Sequence, residues 1–319
     1  MKYVLIITLI TVASAFTRGL YAQDPLPSWN DGKTKQSIID FVKDVSTEGS
    51  PKFVPAEDRI ATFDNDGTLW CEKPLIQGLF AFYLAKKMID KKPALKDKQP
   101  YKAIAENDMA FLKTLGEQDL IKLVIATHTG MTAGDFNKSA VDFFATAKAP
   151  SGKGIAELVY KPQVELLQYL RTNGFKTFIC SGGDIDFMRP VTQQYYGIPP
   201  EQVIGTKFKY VFKDSAGVND LVRMPTMASF NDKQEKPVNI QYHIGKRPIL
   251  ACGNEGGAGD IYMLRFSQGN KYPSLQLIVN HDDKERETYY QEKDNKSLDW
   301  AKKYSWTVIS MKDDWKTIF

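Results

Sequence analysis

Cysteine is scarce in this 319-residue chain, and the three that occur, Cys71, Cys180 and Cys252, are an odd number that suits no disulfide framework. Each sits in or beside a segment that reads as a strand or a turn after one. Buried free thiols are therefore expected, and no histidine lies close in sequence to partner a catalytic one. Histidine is equally scarce: His128, His243 and His281 are scattered, which argues against a zinc site. An excess of one charge is also lacking. The formal charge is +4 with no long basic block, so nucleic acid is not an expected partner. Past the first residues no segment approaches the ~20 apolar residues that span a bilayer. No internal repeat, low-complexity tract or long linker divides the chain.

What is present begins with an address. Lys2 precedes the apolar run YVLIITLITVASA, with small residues at Ala13, Ala15 and Ala22, the pattern of a secretory signal peptide over residues 1–22. Cleavage after Ala22 is favoured over the Ala-x-Ala site ending at Ala15, because Gln23 opens a polar segment. A periplasmic or secreted mature protein follows, with an uncleaved membrane anchor as the other reading. No cysteine follows the run to carry a lipid.

Apolar runs ending in small or acidic residues then alternate with amphipathic segments: IATFD, KTFICSGG, RPILACGN, LQLIVN and WTVISM. This alternation predicts an α/β fold with a Rossmann-like parallel sheet. PQVELLQYLRTNGF reads as a helix stopped by Asn173-Gly174 ahead of the strand KTFICSGG. From about residue 76 to 158 the patterns are helical and little reads as a sheet strand. The core is therefore expected over 23–75 and 159–319, with a mostly helical insert over 76–158. QVIGTKFKYVFKDSAGVNDLVRMPTMASF reads as two extended arms around a turn, a hairpin off the sheet edge. SLDWAKKY reads as a helix delivering the last strand.

Chemistry gathers at the strand ends. Asp64 and Asp66 in ATFDNDGTLW stand at the C-terminal end of a buried strand, where open α/β sheets place ligands. Two carboxylates so close repel unless a cation or a proton sits between them. One can coordinate a hard cation and attack an electrophile while the other moves a proton. At Ser181-Gly182-Gly183 a hydroxyl and bare backbone N–H groups open a helix, an anion cradle. A third strand ends in a glycine-rich loop from Gly253 to Asp260, whose oxygen ligands suit a hard cation such as Mg²⁺. A dinucleotide fingerprint does not fit this loop, because Tyr262 stands where glycine is required.

These residues resemble the haloacid dehalogenase superfamily, in a branch with a helical cap similar to phosphoserine phosphatases. Asp64-Asn65-Asp66-Gly67-Thr68-Leu69 matches the first motif, D-x-D-G-T-L, and Ser181 after KTFIC matches the second. Lys236 in DKQEKPVNI is taken as the third-motif lysine, with Lys233 and Lys207 as alternatives. The last loop is similar to G-N-x-x-G-D but two residues longer, with Asn254 in place of the more usual Asp and Asp260 closing it.

The resemblance implies that Asp64 is a nucleophile forming an aspartyl-phosphate and that Asp66 is the general acid and then base. It implies Mg²⁺ held by the Asp64 carboxylate, the Asp66 carbonyl and one or both of Asn254 and Asp260. Ser181 and Lys236 would hold phosphoryl oxygens, assisted by Gly182 and Gly183. Asp66 also separates the chain from relatives reading D-x-Y-G-T and from ion pumps, which implies hydrolysis of a small phosphomonoester. A phosphotransferase would share every residue, and a noncatalytic binding protein on the same fold is the rival from another class. The insert would be a cap supplying substrate contacts. Within it, ATHTGMTAGDF offers His128 and Thr129 to a substrate, with packing between helices as the other reading of His128. Arg189, one turn into the helix after Ser181, is a further candidate to reach phosphate. Oligomeric state is not legible.

Overall fold

The structure is a computed structural model that describes residues 24–215, 217–256 and 259–319. The signal peptide expected over residues 1–22 lies outside them, as do Gly257 and Ala258 of the glycine-rich loop. Among the described residues seven strands form one sheet: β1 Ile60–Phe63, β2 Lys176–Asp184, β3 Val203–Ser215, β4 Val218–Ser229, β5 Leu250–Asn254, β6 Leu275–Asn280 and β7 Thr307–Ser310. Their order is β4-β3-β2-β1-β5-β6-β7. All neighbours are parallel except β3 and β4, which form the antiparallel edge hairpin. The five apolar runs are thus the parallel strands β1, β2, β5, β6 and β7. β1 and β5 are buried at every position, as strands covered on both faces must be.

Because β1 lies between β2 and β5, the ends of these three strands converge on one edge of the sheet. Asp64 follows β1, Ser181 lies near the end of β2 and Asn254 ends β5. The β2–β3 register shifts between Cys180 and Asp184, so Ser181-Gly182-Gly183 bulges out of the ladder. This differs from the expected helix opening. The Asp184 side chain accepts the Asp186 N–H at 2.9 Å and caps a helix that starts only at Ile185. The backbone of the Ser181 turn is available because of the bulge.

Between β1 and β2 the insert contains the helices Ile76–Lys91, Tyr101–Glu106, Met109–Leu112, Glu117–His128 and Ala133–Thr146. Ile76, Phe80, Ala81, Leu84, Ala85 and Ile89 of the first are buried, a stripe at helical spacing. Phe80, Phe143 and Phe144 gather around Phe187 of the core, with Phe80 and Phe187 stacked at 4.8 Å, and Phe136 packs edge-on against Phe80. The edge hairpin also reaches the insert: the Gly130 N–H donates to the Arg223 carbonyl at 2.8 Å, and the Arg223 N–H to the Met131 carbonyl at 3.0 Å. Cys71, Cys180 and Cys252 are free and buried. Burial pushes the Cys71 and Cys180 thiols up to about 12, which leaves them inert near neutrality. Among the described residues no helix is long and apolar enough to cross a membrane.

Candidate active site

The turn after β1 is tied down at both ends. The Asp64 N–H donates to the Cys252 carbonyl of β5 at 2.9 Å, and the Asn65 carbonyl accepts the N–H groups of Thr68, Leu69 and Trp70. So tight a turn passes through a left-handed residue, and Gly67 has φ +72°. It carries Asp64 and Asp66 into a cleft of about 660 Å³ also lined by Glu72, Gln77, Ser181, Gly182, Gly183, Lys236, Asn254 and Asp260. A groove of about 730 Å³ elsewhere on the surface is slightly larger, but its lining is mainly cationic, with Lys73, Lys153, Lys284 and Arg286 against Glu285 and Glu287, and none of the strand-end residues Asp64, Ser181 and Asn254 reaches it. The chemistry belongs to the smaller cleft.

Lys236 organises the acids. Its Nζ donates to Asp64 Oδ1 at 2.6 Å and to Asp260 Oδ1, all three side chains being buried. Burial holds the Asp64 carboxyl well above the usual carboxylate range, reinforced by Asp260 and opposed by Lys236. Burial alone would lower the Lys236 ammonium, and the two carboxylates outweigh it, so the lysine stays charged. Of the three candidate lysines Lys236 is the one bonded to Asp64; Lys207 is bonded to Asn239 at 3.0 Å, and Lys233 lines the cleft.

Asp66 is held differently. Trp70 Nε1 donates to Oδ1 at 2.7 Å and Gln77 Nε2 to Oδ2 at 3.3 Å. Burial raises this carboxyl too, against those two bonds. A carboxyl raised in this way suits a group that carries a proton.

The donor set for a cation is all oxygen. No three histidine, cysteine, aspartate or glutamate side chains among the described residues form a metal cluster by themselves, so a cation here needs backbone or amide oxygens as well. Asn254 fits that role. Its Nδ2 donates to Glu72 at 3.1 Å and to Tyr290 at 3.0 Å, which leaves Oδ1 as its atom for a cation. Asp260 is more committed, with one oxygen on Lys236 and the other accepting the Asn254 N–H at 3.0 Å. Asp64, the Asp66 carbonyl, Asn254 and Asp260 together fit a hard cation such as Mg²⁺ and offer no thiolate or imidazole.

Ser181 stands opposite, its Oγ accepting the Gly183 N–H at 3.1 Å and its carbonyl accepting Asn231 Nδ2 at 2.8 Å. Two expected contacts are not brought to the cleft. His128 is only 1% exposed, its ring packed against Phe80 and Phe136 and its Nδ1 2.9 Å from Thr127 Oγ1. It serves packing and does not line the cleft, because its helix turns this face to the aromatic cluster. Arg189 bonds Asp186 and the Pro200 carbonyl and is not among the residues that line the cleft. Conversely, Trp70, Glu72, Gln77, Asn231 and Tyr290 shape the site without having been singled out in the sequence. Trp70, Glu72 and Gln77 follow the first motif closely, and that proximity was the available signal.

The chain matches the model of the haloacid dehalogenase-like hydrolase family over residues 61–247. No curated protein matches it. Among solved structures it is similar to a functionally unknown protein from Anaerococcus prevotii, with 14% identity, a TM-score of 0.59 and coverage of 92% of this chain and 98% of that one. It is also similar to a protein of unknown function from Bordetella pertussis, with 14% identity, a TM-score of 0.52 and coverage of 79% and 97%. At such identities the likeness is one of fold.

Proposed function

Because the chain belongs to the haloacid dehalogenase-like hydrolase family, we propose that it is a Mg²⁺-dependent phosphomonoester hydrolase working through an aspartyl-phosphate on Asp64. The observation that carries the reading is the buried Lys236 bridge between Asp64 and Asp260, set beside Asp66 and opposite Ser181. Lys236 fixes one carboxylate oxygen of Asp64, so the other oxygen meets the phosphorus. Ser181 and the N–H groups of the bulged turn receive phosphoryl oxygens, and Lys236 screens their charge from the nucleophile. Mg²⁺ held by Asp64, the Asp66 carbonyl, Asn254 and Asp260 would supply further positive charge to the phosphoryl group.

In the first step Asp64 bonds to phosphorus, the ester P–O bond breaks towards its oxygen, and that oxygen takes the proton of Asp66. In the second, Asp66 takes a proton from water as the water oxygen bonds to phosphorus and the bond to Asp64 breaks.

Asp64→Asn is expected to abolish phosphoryl-enzyme formation. Asp66→Asn removes only proton transfer, commonly worth about 10²–10⁴-fold. With p-nitrophenyl phosphate, whose leaving group needs little protonation, Asp66→Asn should still form the intermediate and accumulate it. Rapid quenching and mass spectrometry of the peptide over residues 61–74 read this out. Label on Asp66, or an intermediate in Asp64→Asn, would reverse the roles. Phosphate release against transfer in excess alcohol separates hydrolase from phosphotransferase.

A further inference from the structure

We propose that Gln77, the second residue of helix Ile76–Lys91, is a positioning residue that aims the proton-carrying oxygen of Asp66 into the cleft; this rests on the phosphomonoesterase reading above. The orientation of its amide is fixed by its partners. The Asp184 backbone N–H can only donate, and it meets Gln77 Oε1 at 2.9 Å. The Gln77 NH₂ group therefore faces Asp66 Oδ2.

The other oxygen is already committed. Trp70 Nε1–H is a donor only and holds Asp66 Oδ1 at 2.7 Å, which leaves Oδ2 as the oxygen for the transferable proton. Gln77 gives a hydrogen bond to one lone pair of Oδ2, so the proton occupies the other direction, towards the cleft that both residues line. Asp66 Oδ2–H then gives its proton to the ester oxygen and later regains one from water. Gln77 exchanges no proton.

The Ser181 turn is shaped around this amide. A Cβ on Gly183 would lie 2.0 Å from Gln77 Nε2 and 2.8 Å from its Cδ, whereas the φ of Gly183 is outside the left-handed region. Glycine there leaves room for the Gln77 amide in this position, and a Cβ would displace the amide rather than strain the backbone. One side chain of the insert thus touches the acid of the first motif and the turn of the second.

The test is the rate of phosphoryl-enzyme formation, by rapid quench, from an alkyl phosphate and from p-nitrophenyl phosphate. Gln77→Leu is expected to slow the alkyl reaction by about tenfold or more, a fraction of what a general acid supplies, and the p-nitrophenyl reaction by less than about threefold. Gln77→Glu keeps an acceptor for the Asp184 N–H but sets a second carboxylate against Asp66, and should match Gln77→Leu. Gly183→Ala lies in the turn that receives the phosphoryl oxygens and can slow both substrates, but by displacing the amide it should also lower the alkyl-to-p-nitrophenyl rate ratio, and in that ratio adding Gly183→Ala to Gln77→Ala should cost little more than Gln77→Ala alone. Equal losses with both substrates in the Gln77 variants, wild-type behaviour of Gln77→Glu, or additive losses of that ratio in the double variant would overturn the proposal. Asp64→Asn is run alongside: if it still forms the intermediate, the assignment of the nucleophile to Asp64 in the proposed function fails, whatever the Gln77 variants show.

Discussion

Gly67 shows how one residue can serve backbone and site together. Its φ of +72° is a left-handed conformation, and a Cβ there would lie 2.2 Å from Asn254 Nδ2 and 2.6 Å from the Tyr290 hydroxyl. Gly49 has a similar φ of +82° with nothing within 4 Å of a built Cβ. Alanine at either should cost about 1–2 kcal/mol of backbone strain. Only Gly67→Ala should also push Asn254 from its place, lowering activity at limiting Mg²⁺ at least tenfold, while Gly49→Ala leaves activity as it was. Thermal melts and a Mg²⁺ titration of the two variants check this; equal activity would detach Gly67 from the cation site. At this scale Asp64, Asp66, Ser181 and Lys236 were legible because strand ends and motif order place them. Trp70 and Gln77 were not, because side-chain partnership across a turn or between helix and loop leaves no periodic trace. Of the two readings of His128 the structure takes packing: a polar ATHTG segment suggests a cleft, yet the fold wraps Phe80 and Phe136 around it.

At the scale of elements, the parallel strands were readable from apolar runs and the hairpin from its turn. The double use of β3 was not, since it pairs parallel with β2 in its first residues and antiparallel with β4 beyond. Nor did the sequence show that β4 joins the insert to the core. Arg223 of β4 is fully buried, bonded to Asp184 and Asp186 at 2.5 Å each, and donates its Nε to the His128 carbonyl at 2.8 Å. Its guanidinium also lies 3.8 Å from the centre of the Phe136 ring. Burial pushes Asp184 up to about 6 even against the attraction of Arg223. Arg223→Met should therefore cost roughly 3–5 kcal/mol, because it leaves carboxylates buried and unpaired. Adding Asp184→Asn and Asp186→Asn should restore part of that loss. Urea denaturation measures both, and a single variant within about 1 kcal/mol of wild type would show that other groups hold the hairpin to the insert.

For the whole molecule, the same junction sets how stability responds to acid. Burial, then the Arg223 charge, lower the His128 imidazole from 6.5 to about 3, so the folded protein holds it neutral where the unfolded chain protonates it. Unfolding then takes up a proton below pH 6.5. The stability tied to His128 is fully present above that pH and is lost as pH falls towards 3, at about 1.4 kcal/mol per unit. Asp184 acts in the opposite sense: its folded value near 6 exceeds 3.8, so its contribution is present in acid and lost as pH rises through that interval. The two slopes oppose one another between roughly pH 4 and 6, and wild-type stability alone would hide both. His128→Phe removes one of them while keeping an aromatic ring between Phe80 and Phe136. The stability of the variant minus that of wild type should be constant above pH 7 and should rise by about 2 kcal/mol on going down to pH 5. Urea denaturation of both proteins at a series of pH values measures that difference, with the other titrating groups common to both. A difference independent of pH would mean that His128 is protonated equally in the folded and unfolded chains, and the junction around Arg223 would then have to accommodate a second buried cation.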